Sequence, residues 1–270
     1  MSILAEEKIR AREQWGQDPC GAEYDREHEL GTREFFDAIE RHRYSEYAPW
    51  MPRLMGFENF RDARLLEVGC GMGTDLLQFA RGGARCTGID LTPRSIEITR
   101  HRFKLYGADG DFMISDAERL PFRDESFDVV YSNGVLHHTP GTAGAIRELH
   151  RVLRPDGVAK VMLYHRNSLN YWVEIILRRG LLAGEFLRGR SAEEIMSRVI
   201  EFSDHEARPL VKVYSRRQAR GLFSCFRNVA TEVEQLTRAE LRFLSPLVSE
   251  SMLTKLRQRI GWNVIVTAIK

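Results

Sequence analysis

Apolar positions through the middle of the chain come as short runs alternating with amphipathic stretches. Leu65-Leu66-Glu67-Val68 reads as a strand buried on both faces, and after three glycines Leu76, Leu77, Phe79 and Ala80 recur at helical spacing. The alternation continues with a strand at Arg85–Ile89 and a helix from Pro93 to about Tyr106, carrying Ile96, Ile98, Phe103 and Leu105. Thr92-Pro93 opens that helix as an N-cap with proline at the first helical position. Asp111–Ile114, Phe127–Tyr131 and Val158–Tyr164 follow as strands, with a helix over Thr142–Leu153; Val229–Leu236 and Asn263–Lys270 supply two more strands. Strands alternating with helices predict an α/β fold around a largely parallel sheet.

Two regions stand outside this rhythm. Residues 1–62 read as helices around Ile3–Trp15 and Thr32–Arg43, separated by a turn at Asp18-Pro19-Cys20-Gly21. The segment is rich in aromatics; most are expected to staple it to the domain, while Tyr44 and Tyr47 are expected to line an acceptor pocket beneath it. A second departure runs from about 165 to 213. Ser168–Arg190 is apolar and basic, which fits a helix lying on a membrane surface or a cap over the active site; Gly180 and Gly184 interrupt it, favouring the cap. Capping boxes at Ser191–Glu194, Ser215–Gln218 and Thr237–Glu240 mark three helix starts. The expected organisation is an N-terminal helical lid over 1–62, then one domain over 63–270.

Composition narrows the classes. The 270 residues are 43% hydrophobic, ample for one large domain. Forty basic against 38 acidic residues leave no general footprint for nucleic acid. Acids near the start and the lack of an apolar core there argue against a secretory signal, and no run is long enough to span a bilayer. Cys20, Cys70, Cys86 and Cys225 form no paired motif, so a reduced, cytoplasmic protein with no bound metal is expected.

The chemistry sits at the glycine turn. A strand, a glycine loop and a helix N-terminus bring backbone close to a ligand and offer it unpaired N–H groups. The pattern is E-x-G-x-G-x-G from Glu67 to Gly73; counted from Gly69, the third glycine of the dinucleotide fingerprint would fall on Thr74, so that fingerprint fails and an oxidoreductase is disfavoured. No Gly-Lys-Ser/Thr follows either. Seventeen residues after Gly73, Asp90 ends the second strand, well placed to accept from ribose hydroxyls.

These residues resemble motifs I and II of the class I S-adenosylmethionine-dependent methyltransferases. Asp116-Ala117-Glu118 with Leu120-Pro121-Phe122 resembles their motif III, and Ser132-Asn133-Gly134 after strand four resembles the fourth motif of the small-molecule branch. The resemblance implies a Rossmann-like, doubly wound, seven-stranded sheet, mostly parallel with the last strand antiparallel. It implies S-adenosylmethionine as cofactor and S-adenosylhomocysteine as product, held by Glu67, Gly69, Cys70, Gly71, Gly73, Asp90, Leu91, Asp116, Ala117 and Asn133. It also implies methyl transfer to an O, N, S or C nucleophile of a small molecule. Gly134 and Val135 stand where amide- and base-nitrogen enzymes have prolines, which lowers the protein and RNA alternatives; a non-catalytic nucleotide-binding module stays open. Where the acceptor must lose a proton, His138, His137 and His165 are the base candidates, His138 preferred. Tyr164 and Arg166 are placed with Tyr44 and Tyr47 as acceptor-binding candidates.

Overall fold

Seven strands form one sheet in the order β3-β2-β1-β4-β5-β7-β6. The computed structural model describes residues 3–199 and 209–270. β1 (Arg64–Val68), β2 (Arg85–Asp90), β3 (Gly110–Ile114), β4 (Phe127–Asn133) and β5 (Leu153–Tyr164) pair in parallel. β7 (Asn263–Ile269) is antiparallel to both β5 and β6 (Arg227–Glu234), so the last strand in sequence lies between its predecessors. The largely parallel sheet expected from the alternating pattern is present, in the doubly wound arrangement that the resemblance implies.

Side chains alternate along the strands, and this splits the core into two layers. Leu66, Val68, Val130, Ala159 and Val161 face one layer, which packs against α5 (Thr142–Val152) and α7 (Arg216–Leu222) through Ile146, Leu149 and Ala219. Leu65, Val129 and Tyr131 face the other, meeting Leu76, Leu77 and Phe79 of α3 (Thr74–Arg81) and Ile96 and Phe103 of α4 (Pro93–Tyr106). β5 starts five residues earlier than its apolar run predicts; the register shifts between Phe127 and Val129, where Asp156 takes φ +64° in the turn before Val158.

The segment before β1 is partly core. Ala48, Trp50, Met51, Leu54, Met55 and Phe57 are buried in the second layer, and Phe35, Phe36 and Ile39 of α2 (Arg33–Arg41) pack with Met72 and Ile98. α1 (Ile3–Gln17) instead crosses the C-terminal rim of the sheet, its Lys8 ammonium 2.6 Å from Asp116 and 3.0 Å from Glu118. The insert forms a helix over Asn170–Leu182 and then α6 (Ala192–Val199); Tyr171, Ile175, Ile195 and Met196 pack around Val211 and Trp262. Both halves of the capping boxes at Ser191 and Ser215 are formed, whereas at Thr237 the backbone N–H and hydroxyl both donate to the Glu240 carboxylate.

Candidate active site

The three glycines after β1 serve different ends. A Cβ at Gly69, where φ is +78°, would fall 2.2 Å from Val135 Cγ2, and one at Gly73 would fall 2.8 Å from Thr99 Cγ2. Gly71, at φ +53°, has nothing within 4 Å of that position and lines the main cavity. Gly69 and Gly73 therefore permit close packing, and Gly71 keeps the cradle open. Gly73 does not reach the cavity, because it is turned into the contact with α4.

Asp90 closes the turn from the neighbouring strand. Its Oδ2 accepts from the Gly71 N–H at 3.0 Å, and its Oδ1 accepts from the Thr92 N–H at 2.9 Å. Burial raises the Asp90 carboxyl above its ordinary range, with these backbone donors opposing the shift. Glu67, one strand over, is buried, and its Oε2 has no hydrogen-bond partner among the described residues. Burial, together with the charges of Asp75 and Asp90, holds the Glu67 carboxyl well above its usual range despite Arg43.

Asp75, in the first turn of α3, organises the opposite wall. Its carboxylate receives a two-pronged bond from Arg43 at 2.7 and 2.6 Å, the Tyr44 hydroxyl at 2.7 Å and the Tyr131 hydroxyl at 2.8 Å. Burial works to raise the Asp75 carboxyl, but the guanidinium and the hydroxyls hold it below the ordinary range. Removing one partner of such a pair costs about 3–5 kcal/mol, since the other is left buried and uncompensated. Arg43 and Asp75 belong to none of the sequence motifs; the acid directly behind a glycine turn is the signal the sequence offers. Tyr44 lies in this network and does not line the cavity, because its hydroxyl is committed to Asp75.

The cavity has a volume of about 330 Å³, within the usual range for small-ligand sites. Glu67, Gly69, Cys70, Gly71, Asp90, Leu91, Asp116, Ala117 and Asn133 line it together, as do Tyr47, His138 and Tyr164. Its far side is aromatic, with Trp15, Tyr24, Trp50 and Trp262. The charged lining is mostly acidic; Lys8 is engaged by Asp116 and Glu118, and Arg43 by Asp75.

The three histidines separate. His138 lines the cavity; its Nδ1–H donates to the Leu210 carbonyl at 2.7 Å, the tautomer that makes Nε2 the basic nitrogen, and its ring lies 4.9 Å from Trp15. His137 is fully buried behind Tyr164 at a ring separation of 3.8 Å and does not line the cavity. Burial pushes its imidazole well below the ordinary range. His165 is buried where β5 ends, with Nδ1 bonded to the Gly261 carbonyl at 3.0 Å, and is likewise outside the cavity. Arg166 is exposed and also outside: two residues beyond the strand its backbone N–H turns to the Tyr214 carbonyl. Among the described residues, no group of three or more His, Cys, Asp and Glu is arranged to hold a metal ion.

Residues 66–161, which span β1 to β5 and carry this cradle, match the sequence profile of the methyltransferase-domain family. Residues 66–161 thus carry a methyltransferase domain. Over 153 residues the chain is 40% identical to phthiotriol/phenolphthiotriol dimycocerosates methyltransferase 1 of Mycobacterium ulcerans, covering 55% of this chain and 54% of that one. Over 113 residues it is 33% identical to a ubiquinone biosynthesis O-methyltransferase of Methylocella silvestris, covering 42% and 44%. The chain thus spans about half the length, or less, of these curated relatives. In three dimensions it resembles a SAM-dependent methyltransferase from Methanosarcina mazei, with a TM-score of 0.59 at 20% identity over 80% of this chain and 96% of that one. It also resembles the [4+2]-cyclase SpnF, at 0.55 and 19% identity, covering 99% and 92%. That second likeness shows one fold housing a different reaction, so chemistry must be argued from the site.

Proposed function

We propose that this chain transfers the methyl group of S-adenosylmethionine to a small, largely apolar acceptor. The observation that carries the reading is the buried, partly unpartnered Glu67 carboxyl sharing one acidic cavity with the open cradle at Gly71 and with Asp90. When bound, the cofactor supplies a methyl group already activated on a cationic sulfur. Glu67 and Asn133, whose Oδ1 also lacks a partner among the described residues, would accept from its ammonium end. Asp90 would hold the ribose hydroxyls, and Asp116 with the backbone at Ala117 would meet the adenine edge. The acid-rich wall favours a cationic ligand.

Acceptor selection falls to the aromatic side. Trp15, Tyr47, Tyr164 and Trp262 offer flat apolar surface, and both cationic side chains of the lining are engaged by carboxylates. That composition suits a neutral ring or hydrocarbon better than an anion. Of the relatives, one is named for phthiotriol and phenolphthiotriol dimycocerosates and one for ubiquinone biosynthesis, which agrees with such a surface. His138 would take a proton through Nε2 when the nucleophile is a hydroxyl or ammonium; methyl transfer itself then depends mainly on alignment.

The test is transfer of label from methyl-labelled S-adenosylmethionine into a cell extract separated into small-molecule, lipid, protein and nucleic-acid fractions. Label is expected in the small-molecule or lipid fraction and is expected to vanish with Asp90→Ala. Label in protein or nucleic acid overturns the acceptor class. Cofactor binding without transfer to any fraction overturns methyl transfer in favour of a binding module or a cyclase-like reaction.

A further inference from the structure

The helix Asn170–Leu182 has two apolar sides, and only one of them is covered. Tyr171 and Ile175 turn inward and pack around Trp262, a wall of the main cavity. Trp172, Leu177, Leu181 and Leu182 face out, with exposures of 52, 45, 58 and 75%, and Leu187 just beyond is 93% exposed. These five account for half of the ten large apolar side chains exposed among the described residues, yet they fall within sixteen positions. The helix is wound wide, its final N–H reaching back five residues from Ala183 to Arg178. Spacings of five and four therefore bring positions 172, 177 and 181 onto one outer stripe. A Cβ at Gly180 would fall 2.2 Å from Phe186, so that ring seats directly on the helix and keeps the 186–188 turn at its end.

Charge borders this stripe in a particular way. Arg178 and Arg179 share the Glu174 carboxylate, and Arg188 and Arg190 share that of Glu185. Each acid holds two guanidiniums side by side and neutralises one of them, leaving both clusters net positive. Paired guanidiniums beside exposed leucine and tryptophan match an anionic headgroup layer over acyl chains.

We infer that the outer face of residues 172–190 docks on an anionic lipid bilayer. Trp172 and the leucines enter the headgroup–acyl boundary while the arginine pairs meet lipid phosphates. The charge complementarity selects a lipid surface over a purely apolar protein partner. No helix among the described residues is long and apolar enough to cross a membrane, so the contact is interfacial. Because Trp262 joins the inner face of this helix to the cavity wall, docking would set that wall beside the bilayer, where an acceptor dissolved in lipid is concentrated. The inference stands on the surface and does not require the proposed reaction.

The experiment is co-flotation of the full chain with vesicles of phosphatidylcholine alone and with about 30% phosphatidylglycerol, at low and high salt, read beside gel filtration. Expected are binding to the anionic vesicles, weakening with salt, and losses of about tenfold or more for Leu181→Ser/Leu182→Ser and for Arg188→Gln/Arg190→Gln. Both double variants should keep the wild-type melting temperature and its rise with S-adenosylmethionine, which separates a docking failure from misfolding or a failure of the cofactor reading. Absence of vesicle binding by the wild type overturns the inference. So does equal, salt-insensitive binding to neutral vesicles, or a dimer that the leucine variant dissociates without any vesicle binding, since a second copy then covers the face.

Discussion

A carboxyl group buried without a full set of donors loses its proton less readily, and Glu67 is such a group. Its folded-state pKa lies above the unfolded value, so its contribution to stability is complete below the ordinary glutamate range and is lost as pH rises through the folded value. Binding of a cation runs the other way, because the ionised carboxylate is the form that attracts it. Cofactor affinity is therefore expected to rise with pH above the ordinary glutamate range. Glu67→Gln should flatten that slope and weaken binding about tenfold to a hundredfold near neutral pH, by calorimetry across a pH series. An unchanged slope in the variant would remove Glu67 from the ligand's surroundings.

At the scale of one element, the turn between β1 and α3 makes a differential prediction. Gly69→Ala adds a clash with Val135 to a left-handed backbone and should cost about 3 kcal/mol in urea unfolding. Gly71→Ala meets open space and should cost only about 1 kcal/mol, yet it places a methyl group in the cradle, so cofactor affinity should fall about tenfold or more. Stability lost equally in both, with affinity unchanged in Gly71→Ala, would show that the turn is purely structural. The sequence pattern alone treats the three glycines alike, since their spacing carries the motif. What separates them is who sits opposite: Val135 comes from the loop after β4 and Thr99 from α4, contacts made only by the folded chain.

Across the whole molecule, the parts legible in the sequence are those written by local periodicity. The βα alternation and the acid at the end of β2 could be read residue by residue, because each depends on neighbours within one turn or strand. The histidines could not: His137 and His138 are adjacent, yet one is sealed behind Tyr164 and the other reaches the cavity. Tyr44 and Tyr47 diverge in the same manner, since Asp75 claims the first hydroxyl. Arg43 pairs with a residue 32 positions away and Lys8 with one 108 away, distances over which no periodicity speaks. The inward face of the insert packs around Trp262, while Trp172, Leu177, Leu181 and Leu182 stay exposed on the face proposed above to meet lipid.

The position of β7 has a bearing on synthesis. Residues 263–269 hydrogen-bond to β5 on one side and β6 on the other, so until they emerge from the ribosome both of those strands present unpaired edges. The nascent chain therefore carries five parallel strands and a detached sixth, with Val161, Leu163 and Val233 of the eventual core waiting for Val264 and Val266. Chains arrested before Asn263 are expected to stay protease-sensitive and bound by chaperones, and extension past Ile269 by a tunnel-length linker should make them resistant in one step. Resistance already present before Asn263 would mean that the parallel half folds alone during translation.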